Sequence, residues 1–134
     1  MSEIVQFVRH GASFVTPNVV EKVLRNLPLW KAEFAQINAP RFPHLVNQLE
    51  FLTDAVEDFA ERAYHDLPYI AFAEAVFALT YCHRKMNVIP DFVQDFAKAD
   101  DSSVVRAVLI QHERAFATYA AHQNINWTRI TSQP

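Results

Sequence analysis

Apolar residues recur at intervals of three and four along most of the chain, which is the spacing of one face of an α-helix. The first group is Ile4, Phe7, Val8 and Ala12. It predicts a short amphipathic helix that ends near Gly11. No segment shows the strict alternation of a strand bounded by turn residues.

A second helix is predicted to begin at Thr16-Pro17, a hydroxyl cap followed by proline in the first helical position. Pro28 lies within its apolar stripe and predicts either a kink or two abutting helices, because proline removes a backbone donor and crowds the preceding turn. The segment 38–43, NAPRFP, is predicted to be a loop. The stripe consists of Val20, Val23, Leu27, Trp30, Phe34 and Ile37.

The third predicted helix has the most regular apolar stripe and runs for about five turns. Glu57, Glu61 and His65 align beside the stripe at spacings of four. They could be drawn as metal ligands, but a solvated acidic face is the favoured explanation, because a metal site needs converging neighbours and not merely a row of side chains. The stripe consists of Leu45, Leu49, Leu52, Val56, Phe59 and Ala63.

The fourth predicted helix, from Tyr69 to about Lys85, is apolar nearly all round, which places it at the centre of a bundle. Its only acid is Glu74. Because a buried carboxylate is costly unless paired, Glu74 should lie at the edge of the bundle or meet an arginine or histidine. A ridge of small residues would let another helix approach closely: Ala71, Ala75, Ala78 and Cys82.

A proline corner at residues 87–92 precedes the last predicted long helix, whose N-terminus would be capped by Asp100 and Asp101. We predict an all-α fold: a compact bundle of about five helices around the central helix at about 69–85. Residues 1–124 would form one domain, and residues 125–134 a tail that docks through Trp127 or stays loose. The inner stripe of the last helix is Val105, Val108, His112, Phe116 and Tyr119.

Composition narrows the function. Gly11 is the single glycine, so a Rossmann or P-loop nucleotide site is excluded, since both need several glycines. The single cysteine, Cys82, excludes an internal disulfide and a cysteine-rich zinc site.

The first ten residues lack an apolar run of signal-peptide length, which predicts a cytoplasmic protein. The net charge is −3 and the basic residues are scattered, so nucleic-acid binding is not expected.

Familiar catalytic motifs are missing: the chain has no G-x-S-x-G elbow, no H-E-x-x-H and no paired E-x-x-H. We therefore predict no cofactor and no metal. Cys82 could be a nucleophile, but packing on the small-residue ridge accounts for it. Acids near the proline corner could gather a hard cation, although capping explains at least two of them: Asp91, Asp95, Asp100 and Asp101.

The run from Ala78 to Val105 resembles the YkvA-like bacterial domain of unknown function. That domain has an apolar helix, an Ile-Pro-Asp-Phe corner and, seven residues later, an Asp-Asp pair. The matching residues here are Ile89, Pro90, Asp91, Phe92, Asp100 and Asp101. Departures from its pattern are Lys85, Asn87, Gln94 and Ala97.

The resemblance implies a small bacterial helical domain with no assigned activity, in a family suspected of lying at membranes. Its motif aspartates, carried onto Asp91, Asp100 and Asp101, would be either an unrecognised site or a structural corner. The departures suit a more soluble member.

The leading hypothesis is a non-catalytic module that binds itself or a partner protein through an apolar helical surface. It rests on the missing catalytic motifs and on aromatic residues beyond the needs of a core, such as Trp30, Phe42 and Trp127.

Two alternatives remain open. The first is an enzyme or small-molecule site in which Glu74 and His112 act as acid and base and converge on a cavity, with Asp91, Asp100 and Asp101 near its mouth. The second is peripheral membrane attachment. The acidic net charge disfavours it, because anionic lipid attracts basic faces.

Overall fold

The computed structural model describes residues 3–86 and 94–130, and within these ranges it contains seven helices and no strand. The predicted all-α class is confirmed, with more helices than the expected five or so. The motif residues Ile89 to Phe92, Asp91 among them, lie outside the described residues. The helices are α1 (Glu3–Ala12), α2 (Pro17–Ala35), α3 (Leu45–Ala60), α4 (Tyr69–Met86), α5 (Gln94–Gln111), α6 (Glu113–His122) and α7 (Trp127–Ile130).

Helix α4 lies at the centre of the bundle, as its all-round apolar sequence predicts. It packs against α1, α2, α3 and α5. The small side chains on its ridge are fully buried, so the neighbouring helices can come close to its backbone. These residues are Ala71, Ala75, Ala78 and Cys82.

Helix α2 begins where the cap signal predicts. The Thr16 side chain accepts a hydrogen bond from the backbone N–H of Val19 at 3.3 Å, and Pro17 is the first helical residue. Pro28 lies inside one continuous helix, so the alternative of two abutting helices is wrong. The predicted loop at 38–43 is non-helical.

Helix α3 ends at Ala60, about one turn earlier than predicted. Arg62 follows in the left-handed region, with φ of 64°, and Ala63 is exposed. Glu61 and His65 therefore lie beyond the helix and do not form one row with Glu57. Over residues 3–86 and 94–130, no group of three or more histidine, cysteine or acidic side chains is placed to hold a metal ion.

The last apolar stripe is divided between two helices, where we expected one. His112 has φ of −120° and ψ of 34°, which separates α5 from α6. Backbone bonds continue across the break, from His112 N–H to Val108 C=O at 3.2 Å and from Phe116 N–H to His112 C=O at 3.0 Å. The inner face therefore stays continuous, and Val105, Val108, Phe116 and Tyr119 are all buried.

Asp100 and Asp101 are not helix caps, contrary to the prediction. Helix α5 begins at Gln94, so both aspartates lie inside it. Asp101 and Ser102 are fully buried, and Ser102 Oγ accepts a hydrogen bond from Arg106 Nε at 3.2 Å. Burial of this turn against the bundle outweighs the preference of aspartate and serine for helix ends.

The C-terminal segment contacts α3 as far as residue 130. The Trp127 ring lies edge-to-face with Phe51, with centroids 5.7 Å apart, and Ile130 is buried. Gln48 Nε2 donates a hydrogen bond to the Ile130 carbonyl at 3.4 Å. The division into a 1–124 domain and a 125–134 tail stays a prediction. Among the described helices, none combines the length and the hydropathy needed to cross a bilayer.

Candidate functional site

The surface feature with the clearest functional character is an apolar groove of about 530 Å³ between α1 and α4. Phe14, in the turn after α1, is 66% exposed, and Phe7 of α1 is 47% exposed. We call this feature the α1–α4 groove. Its lining residues are Phe7, His10, Gly11, Phe14, Val15, Val19, Phe77, Thr80, Tyr81 and Arg84.

The aromatic wall of the α1–α4 groove is held by edge-to-face contacts between the two helices. The Phe7 ring centroid lies 5.5 Å from that of Phe77 and 5.7 Å from that of Tyr81. Gly11 makes this packing possible, because a Cβ atom there would lie only 2.2 Å from the Phe77 ring. These contacts place Phe7, Phe77 and Tyr81 side by side along the groove.

The described side chains that line the groove include two basic ones, His10 and Arg84, and no acidic one. Neither of these side chains makes an ion pair with a residue that the structure describes. Since the whole chain carries a net charge of −3, this apolar surface with a basic rim differs in charge from the rest of the molecule.

Glu74 and His112, the two acid–base candidates from the sequence, meet in the core. Glu74 is 1% exposed, and its Oε1 lies 3.1 Å from His112 Nε2. Its Oε2 lies 3.9 Å from Arg9 Nε. The alternative in which buried Glu74 meets an arginine or a histidine is therefore the one observed, and the interaction joins α1, α4 and the break between α5 and α6.

The Glu74 and His112 side chains lie close together, but neither Glu74 Oε2 nor His112 Nε2 has a hydrogen-bond partner among the described residues. Neither side chain lines the α1–α4 groove or any of the three other cavities with described linings. The structure accounts for the pair as a link between helices, and the catalytic role stays a prediction.

Of the three motif aspartates, Asp91 lies outside the described residues, so a site formed by all three stays a prediction. Asp101 is buried while Asp100 is exposed, so the two carboxylates are not presented together at the surface. The aromatic residues that we expected to exceed the needs of the core are in fact packed against it. Trp30 is buried and stacks on His83 with centroids 4.3 Å apart, whereas Phe42 and Trp127 are partly buried against the core.

The exposed aromatic residues of the groove are ones that the sequence argument missed. Phe7 belongs to an apolar stripe, which gives no sign that its ring would stay half exposed. The exposure of Phe14 could have been predicted, since a phenylalanine in a short turn between two helices belongs to no apolar stripe that would bury it.

Comparison of the chain with family models, curated proteins and solved structures found no match. The resemblance to the YkvA-like domain stays a prediction.

Proposed function

We propose that the protein is a non-catalytic interaction module, and that its α1–α4 groove binds an apolar helix with acidic flanks from a partner protein. The observation that carries this proposal is the groove itself, in which two exposed phenylalanines stand beside an aromatic wall and a basic rim.

The α1–α4 groove leaves aromatic side chains exposed to solvent. Large exposed apolar groups that cluster on a folded domain commonly mark binding surfaces, whereas scattered ones do not. Phe7 and Phe14 share one groove with Phe77 and Tyr81. A groove between two helices suits a third amphipathic helix, whose apolar side chains enter at intervals of three and four residues.

The basic rim selects the kind of partner. Acidic residues beside the apolar face of the bound helix would meet Arg84 and His10, and none of the described lining residues would repel them with a carboxylate. A second copy of this chain is a poorer occupant, because a symmetric pair joined through the groove would bring two basic rims together.

The test measures binding of labelled amphipathic peptides by fluorescence anisotropy. Two probes share one leucine and phenylalanine face and differ only in flanking residues, which are glutamate in one and lysine in the other. We expect saturable binding of the glutamate probe and much weaker binding of the lysine probe. Phe14→Ser should weaken binding of the glutamate probe about tenfold or more, in the range of an interface anchor residue.

Leu29→Ser is the matched control, because Leu29 is 57% exposed but does not line the groove. It should leave the affinity for the glutamate probe unchanged. The proposal fails if the glutamate probe does not bind, or if Phe14→Ser and Leu29→Ser weaken its binding equally.

A further inference from the structure

A second cavity differs from the α1–α4 groove in being lined largely by polar and charged side chains. It is a cleft of about 350 Å³ between one face of α3 and the segment 124–130, and we call it the α3–α7 cleft. It shares no lining residue with the α1–α4 groove. Its walls are formed by Asn47, Glu50, Phe51, Asp54, Asn124, Ile125, Asn126, Arg129 and Ile130.

The segment that closes the cleft is firmly positioned despite its short helix. Asn126 Oδ1 accepts hydrogen bonds from the backbone N–H of Thr128 at 3.0 Å and from its hydroxyl at 2.6 Å. Ile130 is buried, and its carbonyl accepts the bond from Gln48. Arg129 lies between these anchors, and its exposed side chain lines the cleft.

Opposite charges line the α3–α7 cleft without neutralising each other. Glu50 and Arg129 both line it, yet neither makes an ion pair with a residue in the described ranges. Asp54, by contrast, lies 3.3 Å from Lys31 Nζ. Three asparagine side chains also line the cleft and add hydrogen-bond donors and acceptors.

We propose that the α3–α7 cleft binds a free α-amino acid. The carboxylate would pair with the Arg129 guanidinium, which offers two parallel N–H donors, and the ammonium group would pair with the Glu50 carboxylate. The asparagines would bond to whichever polar atoms remain. Phe51 and Ile125 give the cleft an apolar part for the amino-acid side chain. Its volume lies at the small end of the range for ligand pockets, which suits so small a ligand.

The acidic and basic groups of the cleft are accessible to a ligand from solution. Glu50 and Arg129 are exposed, and the Asp54 side chain is 40% exposed. Partial burial raises the pKa of Asp54, and the nearby Lys31 ammonium opposes that shift.

The test is isothermal titration calorimetry of the whole chain against the common L-amino acids, one at a time. At least one should bind with a dissociation constant of about a millimolar or tighter. The N-acetyl derivative and the C-terminal amide of that amino acid should bind the parent chain at least about tenfold more weakly. The variants Glu50→Gln and Arg129→Gln should lose a similar factor in affinity for the unmodified amino acid, since each change removes one charge pair.

Glu61→Gln and Arg114→Gln are the matched controls, because both residues are exposed and lie outside the cleft lining. They should bind the amino acid as the parent chain does. The proposal is overturned if no amino acid binds, or if binding is unaffected by blocking either end or by the two cleft variants. Circular dichroism of each variant separates loss of binding from loss of the fold.

Discussion

Glu74 is the residue whose burial most needs a physical reason, because removing a carboxylate from water is costly. The His112 contact at 3.1 Å and Arg9 at 3.9 Å offset part of that cost. Glu74 Oε2 and His112 Nε2 nevertheless have no hydrogen bond to a described residue. A buried pair of this kind is worth little in net stability, but loss of one partner leaves the other uncompensated.

This asymmetry leads to a prediction for His112 and Glu74. His112→Phe should lower the free energy of unfolding by about 2–5 kcal/mol, because it leaves a carboxylate in the core without its nearest partner. The double variant Glu74→Met with His112→Phe should recover a large part of that loss, since it removes the buried charge as well.

Urea unfolding of the parent chain, the two single variants and the double variant gives the coupling energy. If the losses from Glu74→Met and His112→Phe simply add, the two side chains do not act as a pair and this explanation is wrong.

Tyr119 gives the structure a dependence on alkaline pH. Its hydroxyl donates a hydrogen bond to Asp58 Oδ2 at 2.5 Å. Burial, followed by this bond and the Asp58 charge, raises the pKa of Tyr119 well above its ordinary value of 10.0. As pH rises past 10 the unfolded chain releases the Tyr119 proton while the folded chain retains it, so folding loses stability.

We therefore predict that the free energy of unfolding falls between about pH 10 and pH 11, by up to about 1.4 kcal/mol for this one proton. Tyr119→Phe should reduce that slope. Part of it should persist, because the pKa values of Tyr64 and Lys31 are raised as well.

Tyr69→Phe is the control for the pH experiment, because Tyr69 is exposed. It should keep the slope of the parent chain, measured by urea unfolding at each pH. A Tyr119→Phe slope equal to that of the parent would contradict the assignment.

Among the helices, α1 depends most on a single small residue for its place beside α4. A Cβ atom on Gly11 would lie 2.2–2.5 Å from three carbons of the Phe77 ring. Gly11 lies within the helix, and its role is to admit the neighbouring ring rather than to end the helix. This close approach positions one wall of the α1–α4 groove.

Gly11→Ala should therefore destabilise the protein, although alanine is the better helix former. Alanine gains about 1 kcal/mol of helix propensity, while overpacking costs about 1–3 kcal/mol, so we expect a net loss of up to about 2 kcal/mol. Gly11→Ala combined with Phe77→Leu should lose less than the sum of the two single changes, because the smaller side chain makes room. A more stable Gly11→Ala variant in urea unfolding would refute this account of the packing.

The sequence predicted those elements that depend on local patterns. The stripe and cap of α2 and the all-round apolar character of α4 are local properties, and both predictions are confirmed. The start of α5 and the break at His112 were missed, because they depend on how Asp101 and Ser102 are buried and where His112 meets Glu74. That Glu74 needs a partner could be predicted from the cost of burying a carboxylate. The α1–α4 groove could not be predicted, because an apolar stripe does not show which of its residues stay exposed.

The described surface of the molecule carries two cavities that differ in polarity and charge. The α1–α4 groove is apolar with a basic rim, and the α3–α7 cleft is polar with both signs of charge. Because the two share no residue, a partner helix and a small ligand could be bound independently. The central claim is that the groove receives the partner helix.

Amide chemical-shift mapping of the isotopically labelled protein with the glutamate-flanked peptide tests that claim most directly. Our account predicts that the largest shifts follow one binding curve and fall on the groove, at Phe7, Phe14, Tyr81 and Arg84, while residues 124–130 stay unchanged. Shifts centred elsewhere, or equal shifts with the lysine-flanked peptide, would contradict it.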